Sequence, residues 1–301
     1  NRRLCARIKN IFSKFVSIKI SEIMITETER KRIIDLIHQE VVPAIGCTEP
    51  IAVALCVAKA TETLGTKPEK INVLLSANIL KNAMGVGIPG TGMIGLPIAI
   101  ALGALIGKSE YQLEVLKDST PDVVEEGKRF IEEKRIHISL KENIEEKLYI
   151  EVCCEAGDDK AIAVIAGGHT TFIYIERNGE VLFQKQHTAS CEKEEECLEL
   201  TLRKVYDFAL NTPLDEISFI LETARLNKAA AERSFEGNYG HGLGKMLRGT
   251  YEHKVMGDSV FSHILSYTSG ACDARMAGAM IPVMSNSGSG NQGISATLHQ
   301  F

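Results

Sequence analysis

The sequence predicts an α+β fold, a mostly helical main domain that carries a small antiparallel sheet-plus-helix insertion. Three observations predict it. Apolar residues at helical spacing, with caps, fill residues 26–64; five short β-rich segments follow one another between 137 and 184; and helical patterning resumes from Glu192.

Thr26-Glu-Thr-Glu29 has the capping-box pattern, and Ile33, Ile34, Ile37 and Val41 supply the apolar face of a first helix. Pro43 and Gly46 break it. Glu49-Pro50 places a proline in the first turn of a second helix, which Gly65 and Pro68 stop. Ile71–Ala77 reads as a strand, 79–91 as glycine-rich loop or short helix, and Met93–Ile106 as a buried helix. That last run is shorter than the roughly 20 residues a bilayer needs.

After Ser119-Thr-Pro-Asp122 comes a charged helix, Asp122–Lys134. The strands are expected at 137–140, 147–154, 161–166, 170–176 and 181–184, with Asn178-Gly179 the strongest hairpin signal. Helices are expected at 192–211, 213–233 and 239–256, then a Gly/Ala-rich stretch over 258–284 that permits tight helix contacts. The expected organisation is a basic amphipathic extension (1–23), a first helical part (24–118), the antiparallel α+β insertion (119–190) and a second helical part (191–301).

Composition narrows the function. The chain is 45% apolar and 24% charged with a net charge of −5, and no basic domain stands out, which argues against nucleic acid as a partner. The eight cysteines are scattered without a Cys-x-x-Cys pair, so neither a zinc ribbon nor a secreted disulfide framework fits, and a reducing cytoplasm is the expected compartment. Residues 1–23 hold six basic residues before any acid. They read either as upstream extension before Met24 or as a transit or membrane-surface helix; no membrane partner is expected.

Several motifs carry chemistry. Cys47, in Gly46-Cys-Thr-Glu-Pro50, falls at the amino end of a helix, where the dipole lowers a thiol pKa. With Thr48 and Glu49 it reads as a reactive thiolate, a base or a metal ligand, or else as a buried capping turn with an inert thiol. Gly85-Val-Gly-Ile-Pro-Gly90 matches the bare dinucleotide-loop pattern, but residues 78–84 separate it from the preceding strand. Lys81 and Asn82 beside it suit a carboxylate pocket, or the loop joins packed helices. His169 sits at a strand turn as an acid–base group, a substrate contact or a surface residue, and His241 occupies a second glycine-rich loop. Asp273 and Arg275 form either an internal salt bridge or a substrate clamp. Ser285-Asn286-Ser287-Gly288-Ser289-Gly290-Asn291-Gln-Gly293 is a loop of small polar residues able to approach a ligand closely. Together these residues point to a pocket for a small polar or anionic molecule.

At Gly46–Pro50, Lys81–Thr91, Gly168–Thr170, Asp273–Met276 and Ser285–Gly293 the chain resembles the bacterial and archaeal L-cysteine desulfidase family, related to the α-chain part of iron–sulfur L-serine dehydratases. The resemblance runs in order from about Thr28 to Thr297. It implies an α,β-elimination lyase of amino-acid catabolism that converts L-cysteine to sulfide, ammonia and pyruvate. Alternatives are a serine dehydratase-like deaminase and a non-catalytic small-molecule-binding protein of the same fold. It also implies a [4Fe–4S] cluster held by three cysteines with one iron open as a Lewis acid. Cys47 and Glu49 would be catalytic; Thr48, Lys81, Asn82, His169 and the Ser285–Asn291 loop would bind a small amino acid. A homodimer is left open. The family's cluster cysteines lie beyond the position of Phe301, so no metal ligand is assigned here, and the ending Leu-His-Gln-Phe reads as a truncation without the cluster.

Overall fold

The computed structural model describes residues 25–185, 198–248 and 259–298. The 1–23 extension, Cys191 and Cys197, and the end of the helix expected over 239–256 lie outside them. Backbone contacts divide the chain into two units, 1–38 with 192–218, and 39–191 with 219–301.

In the first unit α1 (Glu27–Glu40) opens with the expected capping box. Glu29 N–H donates to Thr26 Oγ1, and Thr26 N–H donates to Glu29 Oε2, both at 3.1 Å. Lys204, on α6 (Leu202–Asn211), donates to Glu29 at 2.9 Å, and Arg30 to Glu216 at 3.0 Å. The Lys204 bond, with those from Thr26, holds the Glu29 carboxyl at about 2.

The second unit is built on α2 (Thr48–Leu64), whose residues Ile51 to Ala58 are buried on every side. One side of α2 meets the sheet strands β4 (Tyr149–Ala156) and β5 (Asp159–Ala166), and another meets α4 (Leu96–Ile106). Gly103 lets those two helices touch, since a Cβ there would lie 2.6 Å from Ala54 O. Outside α4 packs α5 (Pro121–Glu132), with Val124, Gly127 and Phe130 inward. Burial at this density makes truncation of Leu55 to alanine cost about 2–5 kcal/mol.

The main sheet has the order β3-β2-β4-β5-β6-β7, with β2 Lys70–Leu75, β3 Ile136–Leu140, β6 Phe172–Arg177 and β7 Glu180–Gln184. The expectation of an antiparallel sheet within 119–190 changes in one respect. β2, from the first helical part, lies between β3 and β4 and pairs parallel with β3, so the sheet is mixed. Alternation marks a strand and its buried face, here Ile71, Val73 and Leu75 of β2, but not its neighbours. The Asn178-Gly179 turn has positive φ at both residues, as its hairpin requires.

A second, two-stranded sheet pairs β1 (Pro43–Ile45) antiparallel with β8 (Pro282–Met284), Ala44 opposite Val283. It joins the start of α2 to a helical group made of α7 (Ile220–Glu236), α8 (Leu243–Arg248), α9 (Val260–Met276) and α10 (Gly290–Thr297). The Gly/Ala-rich stretch packs tightly as expected. A side chain at Gly270 would meet Ser234 of α7 at 2.5 Å. No helix among the described residues is long and apolar enough to cross a membrane.

Candidate functional site

A cavity of about 330 Å³ opens where four segments meet: the amino end of α2, α3 (Ala77–Ala83), the β5–β6 turn, and the stretch from the end of α9 to the start of α10. Cys47, Thr48, Glu49, Asn82, His169, Arg275 and Met276 line it, with Ser287, Gly288, Ser289 and Asn291. Its volume lies at the low end of the roughly 300–1,000 Å³ typical of small-molecule sites.

Cys47 is the N-cap of α2, and its thiol donates to Glu49 Oε2 at 3.0 Å. Thr48 Oγ1 donates to the same oxygen at 3.1 Å, and Asn82 Nδ2 donates to Oε1 at 3.2 Å. Burial pushes the Cys47 thiol up to about 12; Arg275 pulls against it, while the Glu49 charge adds to the rise. The lowered thiol pKa expected at a helix amino end is therefore reversed, because Cys47 is only 6% exposed and faces a carboxylate. For Glu49, burial acts upward, but hydrogen bonds from Cys47, its own N–H and Thr48, with His169 nearby, leave it below its ordinary value.

His169 comes from the turn after β5, where Thr171 N–H donates to Gly168 O at 3.2 Å. Burial lowers its pKa, Glu49 opposes this, and Arg275 adds to it. At neutral pH the site thus holds an ionised Glu49, a protonated Cys47 and a neutral His169.

The polar loop follows β8. Ser285 is buried, donating from N–H and Oγ to Val42 O at 2.9 and 2.8 Å, and Ser287 N–H donates to Glu40 O at 2.9 Å. The chain then reverses tightly. Asn286 and Ser289 exchange backbone hydrogen bonds at 3.0 and 2.9 Å, and Ser287 and Gly288 between them have φ of 47° and 73°. The ring of His169 packs on Gly288, leaving no room for a Cβ. Ser289 caps α10, accepting from Gln292 N–H.

Of the residues expected at the site, Cys47, Thr48, Glu49, Asn82, His169, Ser287, Gly288, Ser289 and Asn291 come together. Lys81 does not. It is exposed on α3, one position and so about 100° from Asn82. Ser285 and Asn286 build the loop rather than line the cavity, and Gly290 lies against Arg275. His241 is exposed outside the lining.

Arg275 is where the sequence left two roles open, and the expected partner is elsewhere. Asp273 accepts from the N–H groups of His241 and Gly244 at 3.3 Å, holding the loop before α8. The signal for Arg275 was a charged residue in an apolar neighbourhood just ahead of the polar loop.

Residues 110–300 match the family model described as "Serine dehydratase alpha chain". The chain belongs to that family. Its relatives include a UPF0597 protein of Bacteroides fragilis, 82% identical over 273 residues, covering 91% of this chain and 64% of the relative. One from Bacteroides thetaiotaomicron is 81% identical over 272 residues (90% of this chain, 63% of the relative). One from Porphyromonas gingivalis is 53% identical over 282 residues (91% and 65%). The chain thus spans less than two thirds of the length of these relatives. No solved structure matches.

The family is generally associated with iron–sulfur clusters. Among the described residues no three His, Cys, Asp or Glu side chains converge to hold a metal ion. Cys47 is the thiol in the lining. Cys56 and Cys154 are core residues, Cys56 Sγ donating to Ala163 O at 3.3 Å, while Cys153 bonds Glu155 on β4 and Cys272 lies on α9. These residues do not fit a cluster held by three thiolates.

Proposed function

We propose that the chain is the amino-acid-handling part of a lyase that performs α,β-elimination, with L-cysteine as substrate. The observation that carries this reading is the pairing of a protonated Cys47 with a neutral His169 around the ionised Glu49, in the cavity of a serine dehydratase alpha chain relative. Two neighbouring groups with their pKa values pushed apart make an acid and a base.

In this reading the neutral His169 imidazole accepts the Cα proton and the Cys47 thiol donates to the departing sulfur. The C–H electron pair becomes the C=C bond, and the C–S pair leaves with sulfide. The aminoacrylate that remains hydrolyses to pyruvate and ammonia. Glu49 holds the Cys47 proton in place beforehand, and its charge complements a substrate ammonium.

The test is an anaerobic assay of the natural full-length protein with L-cysteine and L-serine, following sulfide and pyruvate. Sulfide with equal pyruvate from cysteine supports the reading. Turnover of serine alone moves the substrate to the hydroxyl compound, and turnover of neither sinks it.

A further inference from the structure

Arg275 is 4% exposed, yet among the described residues no carboxylate lies within ion-pair distance of its guanidinium. Its Nε donates to Gly46 O at 3.0 Å, and Nη1 donates to Asn291 Oδ1 at 2.9 Å and approaches Met276 Sδ at 3.4 Å. These acceptors are neutral. Nη2 takes no hydrogen bond among the described residues, and a guanidinium has five N–H donors and a permanent charge. Burying such a charge without a counter-ion is costly, and structures keep it where something else supplies the anion.

Its placement is over-determined. Gly46 has φ of +78° and points its carbonyl at Nε; Gly290 has no side chain because one would overlap the guanidinium. The lead-in of α2, the end of α9 and the start of α10 are thus all shaped around this side chain. The guanidinium lines the same cavity as Ser287, Ser289 and Asn291, and the amino end of α10 adds a positive dipole end there.

We infer that Arg275 is the receptor for the ligand's carboxylate. With the Glu49 carboxylate in the same cavity for the ammonium, the site selects a free α-amino acid with a short side chain, not an amide, ester or peptide. This rests on the reading that the site takes an amino acid, but it concerns binding, not turnover.

The probe is a calorimetric titration of the full chain with L-alanine, which has no β leaving group, and with L-alaninamide, in which a neutral carboxamide replaces the carboxylate. L-alanine is expected to bind at least about tenfold more tightly, the worth of one charge-assisted hydrogen bond. Acetate at high concentration should compete with it. In Arg275→Met the preference should fall to near one, with Arg275→Lys retaining part of it. A ratio near one in the unmodified chain, binding of neither probe, or a preference that survives Arg275→Met overturns the assignment. Should Arg275→Met fail to fold, the ratio and the acetate competition in the unmodified chain decide. Turnover without a carboxylate preference would remove the Arg275 role and leave the lyase reading; a preference without turnover would do the reverse.

Discussion

Two glycine-rich loops, one packed on the end of α9 and one lining the cavity, use glycine in opposite ways. In Gly85–Gly90 the close approach is to the protein itself. Gly87 N–H donates to Met276 O at 3.0 Å, Gly90 N–H donates to Gly278 O at 3.1 Å, and a Cβ at Gly87 would meet the Ala277 carbonyl at 2.5 Å. In Ser287–Asn291 the glycines carry cavity-lining side chains against their backbone, His169 on Gly288 and Arg275 on Gly290. The first loop spends its donors on the end of α9; the second presents hydroxyl and amide groups to a cavity. Glycine spacing alone cannot separate these cases, because it records that something comes close and not what.

The contrast should be largest at Gly288. Gly288→Ala forces an L residue into φ of 73°, which costs about 1 kcal/mol of stability, and displaces His169. Misplacing a reacting group by about 1 Å can cost roughly a hundredfold in rate, so turnover should collapse while the urea midpoint shifts little. An alanine variant with full turnover would break the claim that this loop exists for the site.

Gly87→Ala should do the opposite. Its methyl meets backbone that cannot rotate away, and overpacking of this kind costs about 1–3 kcal/mol. The expected result is a lower urea midpoint with an unchanged m-value. If stability is untouched, Gly85–Gly90 is looser than the structure has it, and the dinucleotide pattern regains interest.

How far the sequence reached follows from the same physics. Capping, periodicity and turn chemistry are local, so α1, α2, β2 to β7 and the Asn178-Gly179 turn were legible, as were nine of the expected lining residues, while the three-residue strands β1 and β8 are too short to show a pattern. The parallel pairing of β2 with β3 was not, because pairing is decided by tertiary contacts across residues 76–135. Cys47 shows the limit most clearly. Its helix position was readable, but the burial and the Glu49 partner that reverse its pKa depend on segments far apart in the chain. Arg275 likewise read equally as half of a salt bridge or as a substrate clamp until Asp273 proved to hold another loop.

A smaller effect separates the loops by pH. Gly85–Gly90 contains no ionisable side chain, whereas His169 on Gly288 titrates. Its folded pKa lies below the ordinary histidine value of 6.5, so between those two values the unfolded chain binds more protons and stability rises with pH. Acidification from pH 7 should therefore destabilise the protein below pH 6.5, and His169→Asn should flatten that window in chemical-denaturation curves. Glu49, also lowered, acts in a separate window, its contribution being present above 4.5 and lost as pH falls through its folded value. Unchanged curves in the variant would mean that His169 is not buried against the loop.

The smallest expected effect is at Lys81, and it is informative because it should be nil. Lys81 and Arg275 are two cations that sequence motifs place near the same pocket. Lys81 is exposed and outside the lining, while Arg275 is buried within it. An exposed cation that touches no ligand contributes within about ±0.5 kcal/mol to stability, and screening by salt weakens any longer-range pull on an anion. Lys81→Ala should leave L-alanine affinity unchanged within about twofold at physiological ionic strength, in the titration where Arg275→Met abolishes the carboxylate preference. A tenfold loss would mean that α3 turns its charged face into the cavity when ligand binds, moving Asn82 off Glu49 as it does so. The pocket's selectivity would then be set by closure of α3, and not by a guanidinium already held in place.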